Sequence, residues 1–174
     1  MGIINIDGNL LKKMIIAGAN ELNRNKQLVD SLNVFPVPDG DTGTNMSLTV
    51  LSAAREVEKL NTPNIYDVAK AASNGALRGA RGNSGVIVSQ LFRGFAKGLQ
   101  GVSLAKIDDI AEALYKAQEV AYNAVMKPKE GTILTVAKRI SERALELSIE
   151  TEDLEESFKA ILEYGYEVLD QTTE

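Results

Sequence analysis

Asn33-Val34-Phe35-Pro36-Val37-Pro38-Asp39-Gly40-Asp41-Thr42-Gly43-Thr44-Asn45-Met46 is the stretch from which the rest of the chain is read. Pro36 and Pro38 fix φ and lack backbone donors, so a regular helix cannot run through them. Gly40 and Gly43 allow tight turning around Asp39 and Asp41. Thr44 or Asn45 is placed to cap a helix that starts near Met46. The stretch therefore predicts a stiff loop that presents two carboxylates at a helix N-terminus. Oxygen-only donors of this kind suit a hard cation such as Mg²⁺, which keeps several waters and is often completed by phosphate oxygens. A calcium EF-hand does not fit, because Gly43 stands at its fifth position and Val50 where the bidentate Glu belongs. Neither a Walker A loop nor a dinucleotide fingerprint surrounds the aspartates.

A second stretch, Gly79-Ala80-Arg81-Gly82-Asn83-Ser84-Gly85, precedes the apolar helical run Val86, Ile87, Gln90, Leu91 and Phe95. Free amides at a helix start, with the Asn83 and Ser84 side chains, make an anion site. An interhelical turn is the plainer reading of such glycines. The carboxylate pair elsewhere in the chain favours the anion site. Arg81 suits either a phosphate contact or a structural ion pair. A third glycine break, Lys127-Pro128-Lys129-Glu130-Gly131, ends before Thr132. It reads as a helix connection or as one wall of a base pocket, with Met126 apolar and Thr132 polar.

Composition narrows the chemistry. The 174 residues suffice for one domain with a core. There is no Cys, hence no disulfide or thiolate site, and no His, the commonest neutral-pH base and usual zinc ligand. Nineteen basic and 24 acidic residues leave a net charge of −5, which argues against a nucleic-acid partner. No uncharged apolar run of transmembrane length and no signal peptide is present, so a cytoplasmic location is expected.

Alanine-rich helical spacing recurs throughout, and no segment reads as a strand. Asp7 is expected to cap a first helix, interrupted near Asn20 and Asn23, with a second piece through Leu28 and Leu32. Further helices are expected after Thr44, after Asn64 and after Ser84, the last loosened by Gly94, Gly98 and Gly101. Others are expected from about Asp108 to Met126, after Thr132, and after an Asp153 capping box. The expectation is an all-α domain of seven to nine helices with its special loops gathered at one end.

Asn33 to Met46, Gly79 to Gln90, and Lys127 to Thr135 resemble the nucleotide-binding domain shared by dihydroxyacetone kinases and the fatty acid kinase A subunit. The first stretch is closest to the fatty acid kinase branch. The resemblance covers essentially the whole chain and implies an eight-helix barrel that binds ATP or ADP with two Mg²⁺ ions at one end. It assigns Asp39 and Asp41 to the metals and to catalysis. It places Thr42, Gly43, Thr44, Asn45, Gly82, Asn83, Ser84 and Gly85 in phosphate-contacting segments, and Met126, Gly131 and Thr132 along the nucleotide pocket. The dihydroxyacetone kinases carry a further aspartate where this chain has Val34; Asn33 is the nearby oxygen donor and candidate third ligand.

The implied reaction is Mg²⁺-ATP phosphoryl transfer to a fatty acid carboxylate held by a separate fatty-acid-binding partner protein, giving an acyl phosphate. A carboxylate, with pKa about 4, is already ionised and needs no histidine base. The alternatives are the ATP-binding subunit of a dihydroxyacetone (glycerone) kinase and a non-catalytic nucleotide sensor. The A subunit is longer, so Glu174 reads as the end of an N-terminal fragment, with further domains and a possible homodimer in the full-length protein.

Overall fold

A computed structural model describes residues 2–33 and 40–172. Seven helices are present among them: α1 Gly8–Ser31, α2 Thr42–Glu58, α3 Ile65–Arg78, α4 Gly82–Gly98, α5 Ile107–Ala124, α6 Ile133–Glu150 and α7 Leu154–Gln171. The all-α class is as expected. The resemblance implies eight helices and the described residues form seven, with no strand beyond the single antiparallel bridge of Ile6 with Ala105 among them.

Four starts follow from local chemistry. The side chains of Asp7, Asn64, Thr132 and Asp153 accept from the amides of Leu10, Asp67, Leu134 and Glu156, satisfying donors that the first turn leaves open. Two expectations need correction. The first helix is continuous across Asn20 and Asn23. Asn23 is not a breaker; its side-chain Oδ1 accepts from the buried Ser47 hydroxyl at 3.2 Å and so joins α1 to α2. Gly94 and Gly98 do not loosen α4. A Cβ on Gly94 would stand 2.5 Å from the Lys116 carbonyl and 2.6 Å from the Ala117 Cα, and one on Gly98 2.5 Å from the Ala113 Cα. These glycines let the α4 and α5 backbones meet. Gly101, at φ +83, lies beyond the helix and makes the turn.

Each helix packs against the next along the chain, with α2 also on α4 and α1 on α3. Short connections make successive helices reverse direction. The core is alanine-rich, with Ile6, Leu11, Val57, Ile65, Val68, Leu99, Ile107, Ile110 and Leu154 as its large members. Full burial of each is worth about 1.5–3 kcal/mol.

The amino-terminal segment ties one end of the bundle. Ile6 exchanges backbone hydrogen bonds with Ala105 at 2.8 and 3.0 Å, the Gly8 amide donates to the Pro63 carbonyl at 2.7 Å, and the Leu154 amide donates to the Ile3 carbonyl at 2.7 Å. The α2–α3, α4–α5 and α6–α7 connections are thereby gathered there. The opposite end is left to the starts of α2, α4 and α6.

Candidate functional site

Alternation of direction has an electrostatic consequence. The even-numbered helices point their N-termini to one end, where first-turn amides carry partial positive charge. A cleft of about 470 Å³ lies there. Its walls are Asn33 after α1, Asp41, Thr42, Asn45 and Met46 at the start of α2, Gly82, Asn83, Ser84 and Ile87 at the start of α4, and Val125, Lys127, Lys129, Thr132, Ile133 and Leu134 leading into α6. Neither Asp41 nor Arg81, the residues before α2 and α4, caps its helix through a side chain. The amides of the first turn of α4 thus remain available to an anion, as at other helix-terminal phosphate sites.

Of the residues singled out from sequence, Asn33, Asp41, Thr42, Asn45, Gly82, Asn83, Ser84 and Thr132 line this cleft. Asp39 lies outside the described residues. The others sit behind the wall or away from it. Gly43 is buried where a Cβ would meet the Lys26 carbonyl and Val29 of α1. Gly85 faces Thr49, whose Oγ1 would lie 2.5 Å from an added Cβ. These two glycines set helix spacing and do not reach the cleft. Thr44 turns to α1: Asp30 accepts from its amide at 2.9 Å and from its hydroxyl at 2.6 Å. Those bonds hold the Asp30 carboxyl below the usual carboxylate range, the Thr44 hydroxyl contributing most. Thr44 and Asn45 are first-turn residues of α2 and not its cap, since α2 begins at Thr42.

Gly82 has two reasons to be glycine. Its φ is +64, and a Cβ would collide with the Asn45 amide group. Asn45 therefore lies directly against the start of α4. Thr49 braces the same junction, donating to the Asn45 carbonyl at 2.8 Å and accepting from the Arg81 amide at 3.2 Å.

The connection from α5 to α6 shows a period of two. Val125, Lys127 and Lys129 line the cleft, whereas Met126, Pro128 and Glu130 do not. Met126 is 97% exposed and does not form the apolar wall expected of it. Val125 is extended, at φ −100 and ψ 123, and bends follow at Met126 and Lys127; Met126 stands outside the cleft while Val125 and Lys127 line it. Gly131, at φ +79, is also off the wall; its amide donates to Thr135 Oγ1 at 2.9 Å. Thr135 in turn donates to Glu130 at 3.0 Å, and the Thr132 hydroxyl donates to the Lys129 carbonyl at 2.8 Å. The loop backbone is thus fixed from within. Tyr122, at the end of α5 below it, has its phenol pKa raised by burial and by nearby Glu130.

Sequence reading missed Asp30, Thr49, Lys127 and Lys129. Asp30 and Thr49 act across helices and carry no local signature.

Residues 36–174 match the DAK2 domain. The chain belongs to the DAK2 domain family. Among its relatives, an uncharacterized protein of Staphylococcus epidermidis is 51% identical over 170 residues, which is 98% of this chain and 31% of that protein. The protein YloV of Bacillus subtilis is 49% identical over 174 residues, all of this chain and 32% of that protein. An uncharacterized Staphylococcus aureus protein is 52% identical over 170 residues, again 98% of this chain and 31% of the relative. The DAK2 chain spans about a third of the length of these relatives. Membership supports a nucleotide-binding, kinase-like role. None of the described helices is long and apolar enough to cross a membrane.

Proposed function

We propose that this DAK2 domain is the nucleotide-holding module of a phosphoryl-transfer enzyme, with the acceptor presented by another domain or protein. The observation that carries the reading is the meeting of three helix starts, α2, α4 and α6, around one cleft that also contains Asp41 and Asn33. The open first-turn amides of α4 suit phosphates, and the apolar Ile87, Val125, Ile133 and Leu134 suit the flat faces of a base.

The donor set fits Mg²⁺. Asp41 and Asn33 offer oxygen ligands in the cleft, with Asp39 adjoining in sequence. Among the described residues no cluster of three acidic, histidine or cysteine side chains forms a cage. A cation that keeps waters and shares phosphate oxygens needs none. Two Mg²⁺ ions would be held by Asp39 and Asp41, with Asn33 as a further donor. Bound there, they would neutralise phosphate charge. The Ser84 and Asn83 amides would orient the phosphate chain, and the cleft walls would keep water out of line with it.

Family membership favours the ATP-binding domain of a dihydroxyacetone-kinase-like enzyme as the broader reading. The Asn33–Met46 wording supports a second, transfer to a fatty acid carboxylate on a separate lipid-binding protein. In that reaction a carboxylate oxygen bonds to the γ-phosphorus as the bond to the bridging oxygen breaks and ADP leaves. No proton need be removed. A hydroxyl acceptor must lose its proton to a base, and the histidine-free chain offers only Asp41 among the described cleft residues.

Calorimetric titration with ADP, with and without Mg²⁺, tests the common core of both. Tighter binding with Mg²⁺ is expected, and equal binding under the two conditions rejects the metal-bridged site. Labelled ATP given to the full-length protein with dihydroxyacetone, or with a fatty-acid-loaded binding protein, separates the acceptors. Transfer to neither, with binding intact, favours a nucleotide sensor.

A further inference from the structure

Among the described residues that line the cleft, the cations come from the α5–α6 connection. Lys127 and Lys129 both line the cleft, and Pro128 between them does not. Neither lysine enters an ion pair among the described residues. The backbone that carries them is not a slack loop. The Thr132 hydroxyl holds the Lys129 carbonyl at 2.8 Å, and Gly131 and Glu130 are both bonded to Thr135. Two lysines without an ion pair among the described residues thus line the cleft from a hydrogen-bonded support, on a different wall from Asp41.

Charge explains what they face. A triphosphate is a tetra-anion. Two dications neutralise it, but the carboxylates that hold those dications restore two negative charges in a confined space. Two lysines return the assembly to neutrality. Desolvated like charge is costly, so this balance decides how tightly the phosphate chain is held.

We infer that Lys127 and Lys129 form the cationic wall of a polyphosphate subsite and select nucleoside di- and triphosphates over nucleosides and monophosphates. The inference rests on the nucleotide reading of the cleft and deepens it. Flexible point charges on a rigid arm suit this task better than a fixed fork, since they follow the phosphates as the terminal group departs. The lysines contact phosphate oxygens and carry no proton in the reaction.

Calorimetry of the protein with adenosine, AMP, ADP and ATP in Mg²⁺, for wild type, Lys127→Gln, Lys129→Gln and the double variant, tests it. Each single change is expected to weaken ATP and ADP by about tenfold, the size of one charge-assisted hydrogen bond, and adenosine by less than about twofold. The double variant should also show a shallower dependence of ATP affinity on salt. Lys129→Arg should restore most of the loss. Thermal unfolding of the ligand-free variants at the wild-type temperature separates binding from folding; if the double variant unfolds early, the single variants decide. Wild-type affinity for ATP in the double variant, or equal losses for adenosine and ATP, overturns the inference while leaving the nucleotide reading intact. A wild-type protein that binds none of the four ligands overturns the nucleotide reading, and this inference with it.

Discussion

Asp30, in the last turn of α1, accepts two hydrogen bonds from Thr44, in the first turn of α2, at 2.9 Å from the amide and 2.6 Å from the hydroxyl. One carboxylate therefore joins the point where the chain leaves α1 to the point where it enters α2. Asn33 and Asp41, both on the cleft, lie between these anchors in sequence. Asp30 also sits at the N-terminus of α2, where negative charge complements the helix dipole.

The linkage has a definite sign. The folded protein lowers the Asp30 pKa, so the folded state prefers the ionised form more than the unfolded chain does. Its contribution to stability is complete above about pH 5 and is lost as pH falls through the ordinary aspartate value near 3.9 and below. Asp30→Asn should flatten that section of the stability–pH profile and lower Tm at pH 7 by a few degrees. Chemical denaturation of both proteins from about pH 7 to 3 checks it. Parallel profiles would show that the pair is not linked to folding.

Glycines offer a contrast that depends on neighbours and not on helix propensity. Gly18 in α1 has open space where a Cβ would go, whereas Gly94 in α4 abuts backbone atoms of α5. Gly18→Ala should stabilise by about 0.5–1 kcal/mol. Gly94→Ala gains the same propensity but must push the α4 and α5 backbones apart, an overpacking cost of about 1–3 kcal/mol or more that no rotamer change relieves. It should be net destabilising. Urea denaturation of both variants gives the signs, and a stabilised Gly94→Ala would mean that α4 and α5 do not meet as closely as described.

These contrasts also show how far sequence carried the fold. The caps at Asp7, Asn64, Thr132 and Asp153 were legible because a cap needs only a short-range oxygen acceptor. The gathering of special loops at one end was expected, and the starts of α2, α4 and α6 do share one cleft. The continuity of α1 was not legible, because Asn23 is stabilised by Ser47 from another helix. Nor were the roles of Gly94 and Gly98, since a glycine that admits a neighbour looks the same in sequence as one that frays a helix. Among the site residues, Gly43, Thr44 and Gly85 were grouped by motif with residues that line the cleft. Each instead fixes α2 or α4 against a neighbour, through contacts with no local signature.

Gly82 joins backbone strain to the site. Alanine there must adopt φ near +64 and displace Asn45. A left-handed residue other than glycine costs about 1–2 kcal/mol, and the shifted amide would move the junction of α2 with α4. Gly82→Ala should therefore lower stability by about that amount and weaken Mg²⁺-ADP binding more than a surface Gly→Ala of equal stability cost. An unchanged affinity would separate the start of α4 from the anion site.

Ser84 tests the polarity of the cleft. It stands in the first turn of α4, whose N-terminal residue has no side-chain cap, and its hydroxyl shares the wall with Asn83 and Gly82. If phosphate oxygens lie there, Ser84→Ala removes one hydrogen bond to a charged group and should weaken ADP by about 1–3 kcal/mol. Adenosine, which lacks the phosphates, should lose far less, because Ile87, Ile133 and Leu134 are untouched. The backbone amides remain in the variant, so the loss should stay well short of abolishing binding. Titration of both ligands against both proteins reads the difference directly. Equal losses would place the base, and not the phosphates, at the start of α4, and would turn the nucleotide end for end in the cleft.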